Sequence, residues 1–166
     1  MYVFEFTDKK IIIYDKKKSR LYEEIIPDNI FINNRLYDYK KFVLLLKNIV
    51  NKNKVINSIF RIKVKILLFE EISPSEIYLL EKSFLDIGNF NVSFVNVSRY
   101  FEDNYIFISG NNFYFHGKLL NRLVRGKYIL VGYSSDYANI KNKLVRKYKI
   151  ELFEYENSNT IIYEKV

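Results

Sequence analysis

Two strand-like runs on either side of a capped helix constrain this chain most. Phe60 to Phe69 starts by alternating: Arg61, Lys63 and Lys65 point one way, Ile62, Val64 and Ile66 the other. It ends Ile66-Leu67-Leu68-Phe69, apolar on both faces, as in a strand entering a covered sheet. Ser73-Pro74-Ser75-Glu76 follows. Ser73 can serve as N-cap. Pro74 stands at N1, where a missing N–H costs nothing, and Glu76 stands at N3 to close a capping box. The helix continues through Ile77, Leu80, Glu81, Phe84 and Leu85 to Gly88, and Phe90 to Val97 returns as a strand. This is a β-α-β unit, with a right-handed crossover and two parallel strands.

Around this unit the period keeps switching between two and 3.6. Tyr2–Phe6, Lys10–Tyr14 and Leu21–Ile26 read as a meander of about three strands, with Ile30–Ile32 a further short one. Pro27-Asp28-Asn29 marks a turn. Phe42, Leu45, Leu46 and Ile49 recur at helical spacing from Tyr37 to about Asn51, with Asp38 able to cap the start. Asn104 to Phe115 predicts a hairpin around Gly110-Asn111-Asn112. Lys118–Leu123 predicts one or two helical turns, and Lys127–Val131 a strand ended by Gly132. Ser135 or Asp136 can cap a helix running to about Lys147. Ile150–Phe153 and Thr160–Tyr163 read as short strands. The expectation is a single α/β domain over residues 1–166: a mixed sheet with helices on its faces, in ribonuclease H-like or actin-like subdomain topology.

Composition closes several routes to function. No cysteine leaves no disulfide, no thiolate nucleophile and no cysteine-based zinc site, which is compatible with a reducing cytoplasm. The opening MYVFEFTDKK carries charge at Glu5 and Asp8 and has no apolar signal-peptide core. The longest apolar stretches, such as Phe42–Leu46, are far too short to span a bilayer, so the expected location is the cytoplasm. A formal net charge of +8 permits contact with nucleic acid or an anionic membrane surface.

Basic residues cluster at Lys16–Arg20, at Arg61, Lys63 and Lys65, and at Lys141, Lys143, Arg146, Lys147 and Lys149. Converging on one face, Arg61, Lys63, Lys65, Lys141, Arg146 and Lys147 would track a phosphate backbone. Tyr105, Phe107, Phe113 and Phe115 are candidates for interface anchors or base-stacking platforms, or simply for core. His116 is the one histidine, and a Ser-His-Asp reading would rest on it with Ser109 or Ser134 alone. Glu5, Glu70, Glu71, Asp103 and Asp136 lie near strand and helix ends, where a metal-dependent nuclease would hold a divalent ion. Gly132-Tyr133-Ser134-Ser135 occupies a strand-to-helix junction, where phosphates are often bound, but offers a single glycine.

In order along the chain, four segments resemble the actin-like superfamily, particularly the bacterial rod-shape-determining (MreB-type) proteins. FEFTDKKIIIYDKKKSRLYEEIIPDNIFI resembles that family's opening strands, with Phe4–Thr7 where its first phosphate loop begins. NNRLYDYKKFVLLLKNIVNK resembles the helix beneath its first subdomain, and KILLFEEISPSEIYLLEKSFLDIGNFNVSFVN a strand, helix and strand. KYILVGYSSDYANIKNKLVRKYKIELF resembles the late adenosine-binding segment. The functional positions depart from the pattern. Glu5 and Phe6 replace the aspartate and glycine near the phosphates. The second loop keeps only Gly110, and the late glycine turn has become Gly132-Tyr133-Ser134. The resemblance implies an actin-like frame, about half the length of such a protein, that has lost ATP binding and hydrolysis. It implies a protein that retains a protein–protein surface, as a scaffold or cell-shape component without cofactor. The expected partner is another protein or a second copy, with an anionic membrane surface or nucleic acid as alternatives.

Overall fold

The alternating runs at the start of the chain form the meander that the sequence predicts. In the computed structural model, β1 (Tyr2–Phe6) pairs antiparallel with β2 (Lys10–Asp15), and β2 with β3 (Arg20–Ile25). The structure describes residues 1–32, 34–53, 61–132, 137–154 and 158–166. The backbone sorts into two compact units, residues 1–68 with 72–95, and residues 69–71 with 96–166.

In the first unit a short ribbon, β4 (Phe31–Ile32) with β5 (Arg35–Leu36), leads into α1 (Tyr39–Lys52). Asp38 caps α1 by accepting from the Lys41 N–H. Helical spacing puts Phe42, Leu46, Ile49 and Val50 on its buried side. β6 (Ile62–Leu68) lies parallel to β1, with Phe4 opposite Ile66. α2 (Pro74–Ile87) carries the full capping box: Glu76 N–H to the Ser73 hydroxyl, and Ser73 N–H to the Glu76 carboxylate. β7 (Phe90–Asn96) completes the order β3-β2-β1-β6-β7. Its contacts with β6 advance together, Ile62 N–H to the Asn89 carbonyl and Ser93 hydroxyl to the Val64 carbonyl, as parallel neighbours require. Phenylalanine rings knit this core. Phe4 meets Phe84 edge-on at 5.1 Å, and Phe6 meets Phe42 at 5.2 Å.

The second unit repeats the strand order. β8 (Tyr105–Ser109), β9 (Asn112–Phe115) and β10 (Lys118–Leu119) form a meander. β11 (Lys127–Gly132) lies parallel to β8, and β12 (Glu151–Glu154) parallel to β11, giving β10-β9-β8-β11-β12. α3 (Tyr137–Tyr148) joins β11 to β12 and buries Leu144, while α4 (Ser158–Lys165) packs against β11. The Ser135 or Asp136 cap expected for α3 lies outside the described residues.

Two expectations fail here. Lys118–Leu123 is not helical. His116 and Gly117 both take positive φ (51° and 71°) and turn Lys118 back onto Phe115, and the Leu120 N–H extends the pairing to the Phe113 carbonyl at 2.7 Å. Thr160–Tyr163 is not a strand but part of α4. Burial of Ile162 and Tyr163 outweighs the β preference of this β-branched run. Among the described residues no helix is long and apolar enough to cross a membrane.

Candidate functional site

The β1–β2 turn stands where the resemblance places the first phosphate loop. Such a loop works by aiming unspent backbone N–H groups at phosphate oxygens. Here the four residues of the turn have spent theirs. The Thr7 N–H donates to the Lys10 carbonyl at 3.0 Å, and the Asp8 N–H to Asn34 Oδ1 at 3.0 Å. The Lys9 and Lys10 N–H groups both donate to the Thr7 hydroxyl, at 3.4 and 3.0 Å. Thr7 is 2% exposed, and its hydroxyl in turn donates to the Lys10 carbonyl. Asn34, at φ +59°, returns the bond by donating its N–H to the Asp8 carboxylate, so the turn is tied to the β4–β5 ribbon. Glu5, one residue before Phe6 on β1, is 1% exposed.

The β8–β9 connection, nearest to a second phosphate loop, is equally tight. Ser109 pairs with Asn112, leaving only Gly110 and Asn111 to turn, with Gly110 at φ +58°. Gly132 has a packing role. Its φ is +139°, and a Cβ there would lie 2.3 Å from the Ile108 carbonyl oxygen, so glycine lets β11 close against β8. Tyr133, Ser134, Ser135 and Asp136 lie outside the described residues.

Beside the first turn is a cavity of about 40 Å³ bordered by Phe6, Phe31, Asn34, Arg35, Glu76 and Leu80. That is water-sized, against the several hundred Å³ of a typical ligand pocket. Arg35 bridges to Glu76 at 2.7 Å. Burial works against ionisation of Glu76, but the Ser73 N–H and hydroxyl and the Arg35 charge outweigh it and hold the pKa below the ordinary carboxylate value.

The other candidates are divided between the two units. Among the described residues no three of His, Asp and Glu come together to hold a metal ion. His116 is a turn residue, with Nδ1 3.8 Å from the exposed Asp103 carboxylate. Arg61 and Lys63 are exposed and Lys65 half-buried, all at or on β6 in the first unit. Lys141, Arg146 and Lys147 lie on α3 in the second. Arg146 and Lys147 share an open groove of about 560 Å³ with Asn139, Asn142 and Lys143, and Lys141 falls on another side of the helix. Phe107 is 3% exposed and meets Phe101 at 5.2 Å, so it is core. Phe113 and Phe115 pack half-buried on the second unit's core, and Tyr105 lies 5.0 Å from Phe101. The exposed apolar side chains sit elsewhere. Tyr78 (61% exposed) and Leu85 (49%) stand two turns apart on the outer face of α2. The sequence reading placed Leu85 on this helix and did not single out either side chain as exposed.

No protein-family model matches the sequence, and no curated protein is similar to it. Among solved structures, the chain resembles a protein from Bacteroides thetaiotaomicron with an actin-like ATPase fold and unknown function, determined at 1.85 Å resolution. The likeness covers 99% of this chain and 93% of that one, with a TM-score of 0.50 and 12% identity. The chain has an actin-like ATPase fold. At 12% identity the likeness speaks to the fold and does not single out the rod-shape-determining branch. In this actin-like frame both meanders close in short turns, and the late glycine serves strand packing.

Proposed function

We propose that this protein is a non-enzymatic interaction or scaffold protein. It is a reduced actin-like frame, ribonuclease H-like in the strand order of each unit, that acts by binding another protein or a second copy of itself. The observation that carries this reading is the β1–β2 turn, whose four N–H groups are committed to Thr7, Lys10 and Asn34. A phosphate would have to break those bonds without gaining a glycine-rich cradle in return. Tyr78 and Leu85, exposed together on α2, supply an aromatic and an aliphatic anchor of the kind protein interfaces use. Calorimetry of the intact protein with ATP and Mg²⁺ tests the reading. No binding heat is expected at millimolar nucleotide. Micromolar affinity would replace the scaffold with a small actin-like ATPase.

A further inference from the structure

The outer face of α3 gathers three exposed cations, Lys143, Arg146 and Lys147. On the helices of the first unit three basic residues are matched: Lys41 with Asp38, Lys52 with Glu24, Lys82 with Asp86. α3 (Tyr137–Tyr148) contains no acidic residue at all. Its groove is lined by Asn139, Asn142, Lys143, Arg146 and Lys147, and among the described residues no carboxylate lies within ion-pair reach of the three cations. Arg146 and Lys147 stand in the last turn, where cations also offset the helix dipole. Lys143, mid-helix, has no such explanation.

We propose that this groove binds the phosphate backbone of nucleic acid. The chemistry of the face selects among polyanions. A membrane-surface helix needs exposed apolar side chains to enter the interface. On α3 Leu144 is buried, and Ile140, Val145 and Tyr148 pack half-buried on the core. Among the described side chains, what remains outside is Ala138, the two asparagines and the cations. An acidic protein partner would want an aromatic or aliphatic anchor at the centre of the contact, and the groove offers none. A phosphate backbone needs only charge and hydrogen-bond donors along a line. From Asn139 to Lys147 the donors recur every three or four residues over about 12 Å of helix. The proposed contacts go to phosphate oxygens, which carry no sequence information, so sequence-independent binding is expected. The proposal does not rest on the scaffold reading, since it holds whether or not the protein has a protein partner.

The test is fluorescence anisotropy of the intact protein against a labelled oligonucleotide, single-stranded and duplex, over a salt series. With three cations engaged, the log–log salt slope is about −3 on duplex and about −2 on single strands, with dissociation constants of roughly 10⁻⁴ to 10⁻⁶ M near physiological salt. Lys143→Glu/Arg146→Glu/Lys147→Glu is expected to weaken binding at least tenfold at low salt and flatten the slope. The three side chains are exposed, and circular dichroism checks that the fold survives. Arg61→Glu/Lys63→Glu should leave the triple variant's effect intact and cost under threefold itself. The idea is overturned by no binding at low salt, by an unchanged triple variant, or by an equal loss in the Arg61/Lys63 variant. Binding to poly-glutamate or phosphatidylserine vesicles in preference to the oligonucleotide also overturns it.

Discussion

The two units share a strand order but close their first crossover in different ways. In the first, α1 covers the sheet with Phe42, Leu46, Ile49 and Val50, on a helix capped by Asp38. In the second, residues 120–126 make the same connection without a helix. Leu120 and Leu123 pack against the core, and the Tyr128 hydroxyl pins the segment by donating to the Val124 carbonyl at 2.9 Å. The comparison separates topology from the material that seals it. Pairing order is set by hydrogen-bonded register, whereas the cover over a sheet face can be a helix or an anchored loop, provided apolar side chains reach the core. The four anchors of α1 are buried whereas Leu120 and Leu123 are half-buried, so truncating an anchor is expected to cost more in the first unit.

That difference can be broken at several points. Phe42→Ala removes a fully buried ring that meets both Phe6 and Phe31 at 5.2 Å. A loss of about 3–5 kcal/mol is expected in urea unfolding followed by circular dichroism. Gly132→Ala puts a methyl group against the Ile108 carbonyl at a φ of +139°, and about 2–4 kcal/mol is expected to be lost by the same measurement. A cost under 1 kcal/mol would mean that β11 and β8 do not approach as described. Leu123→Ala, in the half-buried cover of the second unit, should cost about 1–2 kcal/mol, clearly less than Phe42→Ala. Equal costs would erase the distinction between the two covers. Ser73→Ala opens the capping box of α2, with about 1 kcal/mol expected. The smallest effect concerns pH. The folded pKa of Glu76 is depressed, so its contribution is present above the unfolded value near 4.5 and is lost as pH falls through the lower folded value. Glu76→Gln should therefore narrow the stability gap to wild type at acid pH, and a gap constant from neutral pH downward would contradict that pairing.

Local signals in the sequence were strong wherever a single turn of chain supplies both partners. Ser73 and Glu76 meet within three residues, Asp38 caps α1 through Lys41, and Gly110 turns a hairpin between two β-rich runs. The signals failed where the partner is remote. Lys118–Leu123 reads as one or two helical turns, yet the Leu120 N–H is claimed by the Phe113 carbonyl, and Leu120 and Leu123 pack on the core. Thr160–Tyr163 carries β-branched residues, and packing on β11 decides its state. The same distinction holds at the site. A glycine-poor sequence pointed to a lost phosphate loop, but the lock between Asp8 and Asn34 spans twenty-six residues and has no local signature. On α3, one-dimensional clustering grouped Lys141 and Lys143 with Arg146 and Lys147, whereas helical geometry keeps Lys143 beside them and sets Lys141 on another side.

The claim at the centre of this account is that the Thr7–Lys10 turn has no N–H left for phosphate. Amide chemical shifts in a ¹⁵N-labelled sample titrated with Mg²⁺–ATP report on those groups one by one. The account predicts that the Thr7, Asp8, Lys9 and Lys10 amides stay in place to millimolar nucleotide, with slow hydrogen exchange at Asp8 from its bond to Asn34. Saturable shifts at these four amides, together with faster exchange at Asp8, would contradict it.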